Sequence, residues 1–123
     1  MPFYRDRISI VDPKVTPGYG DEVEYEYDLD LGATATAVPY GVEFQPQNSL
    51  NDSEVDNRLV ISVYRLHTPP GKGLPFKLHQ RILYKGDQYM IQGELATWTS
   101  VDYPSGIDHV EAVFQRVGAG NGA

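Results

Sequence analysis

Apolar and polar residues alternate most regularly between residues 22 and 31. The alternating apolar residues are Val23, Tyr25, Tyr27, Leu29 and Leu31, and the residues between them are Glu22, Glu24, Glu26, Asp28 and Asp30. A strand places successive side chains on opposite faces, whereas a helix would spread these carboxylates around its circumference and leave no apolar stripe. The pattern predicts a strand with one buried and one solvated face. The carboxylates repel each other, so their face must point toward bulk water or a water-filled channel.

Shorter apolar segments predict the remaining strands. They lie at residues 7–11, 32–45, 59–66, 81–84, 88–95 and 107–117. Pro39 interrupts the second of these segments, which predicts an edge strand or a bulge, because proline cannot donate to a ladder. The sequence LVISVYRL at 59–66 is typical of a well-buried central strand. Lys85-Gly86-Asp87 predicts a hairpin turn, and residues 13–20 and 96–106 predict further turns.

Composition agrees with a small all-β fold. The 123 residues include nine prolines and twelve glycines, and 41% of them are hydrophobic and 22% charged. This favours a single domain over residues 1–117, built as a small β-barrel or sandwich of six or seven mostly antiparallel strands with one long loop. Residues 118–123, GAGNGA, predict a flexible tail. No apolar run has the roughly 20 residues of a spanning helix, and the start MPFYRDRISIV lacks a secretion signal, so we expect no membrane partner.

Charge is distributed unevenly along the chain. The net charge of -7 argues against a protein that binds nucleic acid over its whole surface. Residues 1–57 carry 12 acids and 3 bases, residues 58–85 carry 6 bases and no acid, and residues 86–123 carry 5 acids and one base. Such a chain can present faces of opposite sign to neighbouring copies of itself. Alternatively, folding interleaves the three segments and hides the polarity.

Two segments between the predicted strands stand out. Residues 46–58, PQNSLNDSEVDNR, have no periodicity and are rich in Asn, Asp and Ser, which predicts a long mobile loop. Loops of this length are uncommon in compact domains and are often functional. Residues 67–78, HTPPGKGLPFKL, contain three prolines and predict a proline-rich surface arm.

The sequence contains no recognisable catalytic or cofactor motif. It has no cysteine, which excludes disulfides, thiolate metal sites and thiol nucleophiles. His67, His79 and His109 form neither a helical i, i+4 pair nor an HxH strand pair, so we expect no metal site, and we interpret His109 as a hydrogen-bonded residue at the start of the last strand. No serine lies in a GxSxG context, and no pair among the 17 carboxylates is distinguished. We therefore expect a protein that is not an enzyme and has no cofactor.

Residues 84–120 carry a family resemblance. They contain a hairpin with Gly86 at its tip, a Gly93-Glu94 pair, Trp98, a turn with Ser100, Pro104 and Gly106, and a last strand that begins His109-Val110-Glu111. This order and spacing resemble the C-terminal region of the head-to-tail stopper proteins, also called head-completion or head-closure proteins, of long-tailed bacteriophages. The N-terminal part is similar more loosely, and the acidic segment 22–30 and the proline-rich arm depart from the family pattern.

The resemblance implies a structural role in the virion. Such proteins are β-barrel subunits that form a ring, here of six or twelve copies, below the portal and its adaptor protein and above the tail terminator or tail tube protein. The ring is assembled in the host cytoplasm at the head–tail interface, closes the DNA-filled capsid and docks the tail. Double-stranded DNA passes through its lumen without sequence-specific binding, and a loop gates the lumen.

The resemblance also suggests which residues carry these roles. The loop at 46–58 is the candidate gate, through Gln47, Asn48, Asn51, Asp52, Glu54 and Asp56. Its acids, opposed by Arg58 alone, would repel phosphates, so that DNA is retained by steric closure and passes without sticking. Separately from the resemblance, basic and aromatic residues in and near the rigid proline-rich arm and the single tryptophan are candidate contacts between subunits or with partners, namely Arg65, Lys72, Phe76, Lys77 and Trp98.

Several alternatives remain open from the sequence. The basic residues Arg65, Lys72, Lys77 and Arg81 are interleaved with Tyr64, Phe76 and Tyr84, a mixture that also suits an OB-like module for single-stranded nucleic acid. Another tail-completion or tail-terminator protein is a further alternative. Trp98 serves either core packing or a partner contact, and the acidic strand either faces solvent or lines the lumen.

Overall fold

The computed structural model describes residues 4–47 and 63–117. Within these residues it contains nine strands and one 3-10 turn, Leu29–Leu31. The strands are β1 (Ser9–Asp12), β2 (Lys14–Pro17), β3 (Val23–Glu26), β4 (Thr34–Ala37), β5 (Glu43–Pro46), β6 (Val63–His67), β7 (Arg81–Tyr84), β8 (Asp87–Thr99) and β9 (Ile107–Arg116). No helix among the described residues has the length and apolar character needed to cross a membrane.

Seven strands form one antiparallel sheet in the order β4-β1-β7-β8-β9-β6-β5. The sheet curls into a half-barrel, and β2 and β3 pair separately as a small hairpin. This confirms the predicted all-β fold of the barrel or sandwich type. The predicted edge strand around Pro39 is also confirmed, because β4 ends the sheet at one side and residues 38–42 separate it from β5.

The concave face of the sheet holds an aromatic core. On β9 the alternate residues Val110, Ala112 and Phe114 are buried, as period two requires of a half-buried strand. Phe44 lies at the centre, and its ring stacks on Tyr64 at 4.9 Å and meets the edges of two further tyrosine rings, those of Tyr84 and Tyr89, at 5.0 Å each. Such tilted and offset pairs are the favoured geometries of aromatic rings.

A backbone bridge joins the two margins of the curled sheet. Asp6, just before β1, exchanges two backbone hydrogen bonds of 2.9 Å with Val42, just before β5. The Asp6 carboxylate adds side-chain bonds, because Oδ2 accepts from the backbone N–H of Phe44 at 2.8 Å. The chain before β1 therefore connects the edge strand β5 to the opposite side of the sheet, where β4 and β1 lie.

The β7–β8 hairpin has the turn that the sequence predicts. Lys85 and Gly86 have φ values of 52° and 86°, which is the left-handed pair required by a two-residue type I′ turn. The prediction of a turn from residue 96 is wrong at its start, because β8 continues to Thr99. A register shift between Gln92 and Ala96 lets this 13-residue strand follow the curvature of β9.

The acidic segment differs from the prediction. Only Val23–Glu26 is a strand, and residues 13–20, predicted as a turn, contribute β2 as its partner. The predicted buried face is wrong as well, since Val23 is exposed and Leu31 is 58% exposed. We call residues 14–31 the acidic arm.

Two tyrosines attach the acidic arm to the main sheet. The Tyr25 ring stacks on His79 at 4.3 Å, and the Arg81 guanidinium lies 3.5 Å from the centre of the Tyr27 ring. The Tyr27 hydroxyl also donates to the carbonyl of His79 at 2.6 Å. The arm is therefore held at residues 79–81, which precede and begin β7.

Much of the proline-rich segment 67–78 lies against the sheet. Thr68 is fully buried, and its hydroxyl oxygen accepts from the backbone N–H of Val110 at 2.7 Å while donating to the carbonyl of Lys72 at 2.7 Å. Leu74 is buried, whereas Leu78 is exposed. The predicted central strand 59–66 overlaps β6, which lies between β9 and β5, but the expected full burial is wrong for its described residues, since only Leu66 of β6 is buried. Residues 59–62 of the predicted strand lie outside the described part of the chain.

Candidate functional site

The predicted gate falls almost entirely outside the described residues. Of its six residues, Gln47 is described, and its backbone N–H donates to the carbonyl of Val63 at 2.7 Å, at the base of the β5–β6 pair. Asn48, Asn51, Asp52, Glu54 and Asp56 lie outside the described residues. The gate assignment therefore stays a prediction from sequence.

Two of the predicted contact residues share the outer face of the sheet. Arg65 on β6 and Trp98 on β8 lie on either side of β9, and their side chains point away from the core that Leu66 and Val110 fill. Trp98 is 54% exposed, and a large ring at this exposure is available to a partner. The structure therefore brings these two residues to one surface.

Between Arg65 and Trp98 lies a group of side chains that we call the histidine cluster, His67, His109 and Glu111. In the strand register His67 on β6 is opposite Glu111 on β9, and His109 on β9 is opposite Trp98 on β8. Residues 109 and 111 share a face because they are two apart on one strand. The His109 ring is consequently stacked on His67 at 4.4 Å on one side and on Trp98 at 5.9 Å on the other.

Both nitrogens of the His109 ring contact carboxylates. Nε2 lies 2.8 Å from Oε2 of Glu111, and Nδ1 lies 3.3 Å from Oδ1 of Asp108. The second oxygen of Glu111, Oε1, lies 3.4 Å from a guanidinium nitrogen of Arg65. His109 is thus the hydrogen-bonded residue at the start of the last strand that the sequence predicts.

These contacts shift the pKa values of the pair. Burial of the His109 ring lowers its pKa, but the hydrogen bonds to Glu111 and Asp108 and their negative charges outweigh burial and raise it. The hydrogen bond from His109 lowers the pKa of Glu111 against the opposing effect of burial, and the charges of His67 and Arg65 lower it further. The cluster therefore favours an imidazolium beside a carboxylate.

The other predicted contact residues lie elsewhere. Lys72 places its ammonium 5.8 Å from the centre of the Tyr40 ring, and the edge of Phe76 meets Phe114 at 5.4 Å as part of the core. Lys77 is exposed beside the acidic arm, in a shallow depression that it forms with Val15 and Tyr25. The five predicted contact residues therefore do not form one patch.

The histidine cluster is the feature that spacing along the chain did not predict. His67 and His109 are 42 positions apart, and only the β6–β9 register brings them together. One signal was available, because His109 and Glu111 alternate on the predicted last strand and so share a face.

The chain was compared with protein-family models and with curated proteins. No protein-family model matches the chain, and no curated protein matches it.

Proposed function

We propose that this protein is a non-enzymatic structural subunit of a bacteriophage head-to-tail connector, of the stopper type. The observation that carries the proposal is the ordered pattern of residues 84–120. Its described part lies on one antiparallel unit, the end of β7 with β8 and β9, where Gly86 forms the hairpin tip. The elements of the pattern are thus neighbours in space as well as in sequence.

The surface chemistry supports association with other subunits. Trp98 and Arg65 offer an aromatic ring and a cation on the outer face, both more than half exposed. The acidic arm offers exposed carboxylates, among them Glu22 and Glu24, beside exposed apolar residues such as Leu31. Complementary charges orient association, and aromatic residues anchor it. In the proposal, copies form a ring of six or twelve between the portal adaptor and the tail.

The gate belongs to this proposal as a separate hypothesis. The predicted loop joins two strands that pair with each other, because the end of β5 lies beside the start of β6, with Pro46 opposite Tyr64. A loop anchored at both ends by one sheet can change conformation without disturbing the core. The acids at positions 52, 54 and 56 would then face DNA that is retained by steric closure.

Packing of the aromatic residues disfavours the nucleic-acid alternative. Base stacking needs accessible rings. Tyr64 and Tyr84 pack on Phe44, and Phe76 packs on Phe114, so these rings are engaged in the core. Arg81 is engaged with the Tyr27 ring. The alternative of another tail-completion or tail-terminator protein predicts rings that form from the purified chain without portal components.

Disruption of the gene tests the proposed function. Electron microscopy of the resulting particles is expected to show separate heads and tails, with heads that lose packaged DNA. Supplying the intact chain in trans is expected to restore joined particles. Normal virions in the absence of the chain would overturn the proposal.

A further inference from the structure

We propose that His67, His109 and Glu111 form a binding site for a divalent transition-metal ion of the Zn²⁺ class on the outer face of the sheet. The three side chains each offer one ligand atom, and these atoms lie within 4.8 Å of one another. This site is independent of the proposed connector function, because it rests on side-chain geometry and not on the family resemblance.

The spacing of the ligand atoms is close to that of a zinc centre. Bonds of about 2.0–2.2 Å in a tetrahedron place ligand atoms roughly 3.3 Å apart. Nε2 of His109 and Oε2 of Glu111 are 2.8 Å apart and need to separate slightly. The His67 ring needs to approach by at most about 1.5 Å, the difference between the observed and tetrahedral limits. All three residues are partly buried on the outer face of the sheet, so the ligand atoms lie at a partly solvent-accessible position.

The register of β6 and β9 places the three ligand residues next to one another. Glu111 and His109 are fixed two residues apart on β9, and His67 is the direct cross-strand neighbour of Glu111 on β6. The ligands therefore come from two paired interior strands of the sheet. Only side-chain rotation is needed to bring them to an ion, so little backbone order has to be gained on binding.

The donor set selects the kind of ion. Two imidazoles and one carboxylate are typical ligands of Zn²⁺ and neighbouring transition metals, whereas Ca²⁺ and Mg²⁺ prefer oxygen ligands. Three protein ligands leave one position of a tetrahedron for water or for a group from another molecule. The site is therefore expected to bind a divalent transition-metal ion of borderline softness.

Neighbouring residues supply the outer contacts that metal ligands require. A ligating histidine commonly donates its second N–H to a carboxylate, which fixes its tautomer and ring orientation. Asp108 is placed for this role, with Oδ1 3.3 Å from Nδ1 of His109. Arg65 contacts Oε1 of Glu111 and leaves Oε2 directed toward His109. Both outer partners are therefore present before any ion binds.

The fluorescence of Trp98 is expected to change when a metal ion occupies the site. It is the only tryptophan in the chain, and its ring is stacked on His109 at 5.9 Å. Ni²⁺ bound at the cluster would quench its fluorescence at short range. The experiment uses the untagged full-length protein, first treated with chelator and dialysed, and then titrated with Zn²⁺ by calorimetry and with Ni²⁺ by fluorescence.

Substitutions locate the ion. The wild type is expected to bind one Zn²⁺ per chain, and H67N and E111Q, each checked for an unchanged circular dichroism spectrum, are expected to lose this binding. D108N, which alters an outer contact, is expected to weaken binding by roughly tenfold to a hundredfold. H79N is the matched control, because His79 lies away from the cluster beside Tyr25, and it is expected to bind as the wild type does.

Three results would overturn the proposal. They are no stoichiometric binding by the wild type, binding that H67N and E111Q leave unchanged, and equal loss of binding in H79N. The last result would place the ion elsewhere on the chain. If E111Q does not fold, H67N decides the outcome, since His67 lies at the end of β6 and is only partly buried.

Discussion

The hydroxyl of Tyr84 donates a hydrogen bond of 3.0 Å to Oδ1 of Asp6, a residue 78 positions earlier in the chain. Oδ2 of the same carboxylate accepts from the backbone N–H of Phe44. One side chain thus connects the chain before β1 with β5 and β7. Hydrogen bonds to a carboxylate are stronger than those between neutral groups, so this contact reinforces the junction of the two sheet margins.

Removing the Tyr84 hydroxyl is expected to destabilise the fold. Y84F keeps the ring against Phe44 and loses the bond to Asp6, which should lower the free energy of unfolding by about 1–2 kcal/mol. D6A loses every side-chain bond of Asp6 and should cost more. Y19F is the matched control because Tyr19 is 91% exposed. Denaturant unfolding that gives Y84F and Y19F the same stability would contradict this role for Asp6.

The same hydrogen bond is expected to make the stability of the fold decrease at alkaline pH. Burial, followed by the hydrogen bond and the charge of Asp6, raises the pKa of Tyr84 from 10.0 to about 12. Between these values the unfolded chain releases the tyrosine proton while the folded chain keeps it, so the unfolded state binds fewer protons. Stability is therefore fully present below pH 10 and falls as pH rises toward 12.

Comparison with Y84F isolates this contribution from that of the other tyrosines. Burial also raises the pKa of Tyr89, so wild type and variant should both lose stability above pH 10. The wild type should lose more, and the stability gap between the two proteins should narrow between pH 10 and pH 12. A gap that stays constant over this range in denaturant titrations would show that the Tyr84 proton is not linked to folding.

The geometry of the β7–β8 turn predicts that substitutions at its two central residues affect stability differently. Gly86 has a φ of 86°, a region that strains any residue with a Cβ, so G86A should destabilise the protein by about 1 kcal/mol. Lys85 has a φ of 52°, and asparagine tolerates this conformation better than lysine. K85N should therefore leave stability unchanged or raise it. Thermal unfolding that ranks G86A at or above K85N would refute the type I′ geometry.

Trp98 is expected to matter more for assembly than for folding. Because the ring is 54% exposed, W98A should change the free energy of unfolding by no more than about 1 kcal/mol. In the connector it should weaken subunit association by about 2 kcal/mol or more, as truncation of an aromatic anchor does. M90A, on the same strand and similarly exposed, is the control. Equal incorporation of W98A and M90A into purified particles would remove Trp98 from the interface.

Deletion of residues 47–57 tests the gate hypothesis. The fold should persist, since the described core contains none of these residues, and filled capsids should lose DNA. A variant of unchanged length, with Asp52, Glu54 and Asp56 replaced by their amides, should retain DNA because closure is steric in the hypothesis. DNA protection against nuclease is the measurement. Retention of DNA by the deletion variant would refute the gate.

Local patterns were sufficient to predict much of the fold. The Lys85-Gly86 turn was predictable because two consecutive left-handed residues favour a short list of residue types. The last strand was predictable because it alternates regularly, with Val110, Ala112 and Phe114 buried. Both features depend on residues close together in sequence, which is the range over which such patterns are informative.

The acidic arm is a segment whose burial the local alternation of residues does not predict. Alternation over residues 22–31 predicts which side chains share a face, but burial of that face needs a partner surface that alternation does not describe. The strand ends early because Asp28 accepts a hydrogen bond from the backbone N–H of Asp30 and starts a 3-10 turn. Such a local side-chain bond competes with extension of the ladder.

The histidine cluster could not be predicted for a different reason. Its formation depends on the pairing of β6 with β9 and on their register, because a shift of one residue would turn His67 to the opposite face. The register, in turn, depends on the packing of Leu66 and Phe114 in the common core. The spacing of the three residues along the chain does not reveal the register of β6 and β9.

Cryo-electron microscopy of the head–tail junction in assembled particles tests the proposed function most directly. A ring of copies of this curled sheet is expected between the portal adaptor and the tail, with residues 46–58 directed toward the axis. A junction that lacks the chain, or a ring in which residues 46–58 point away from the path of the DNA, would contradict this expectation.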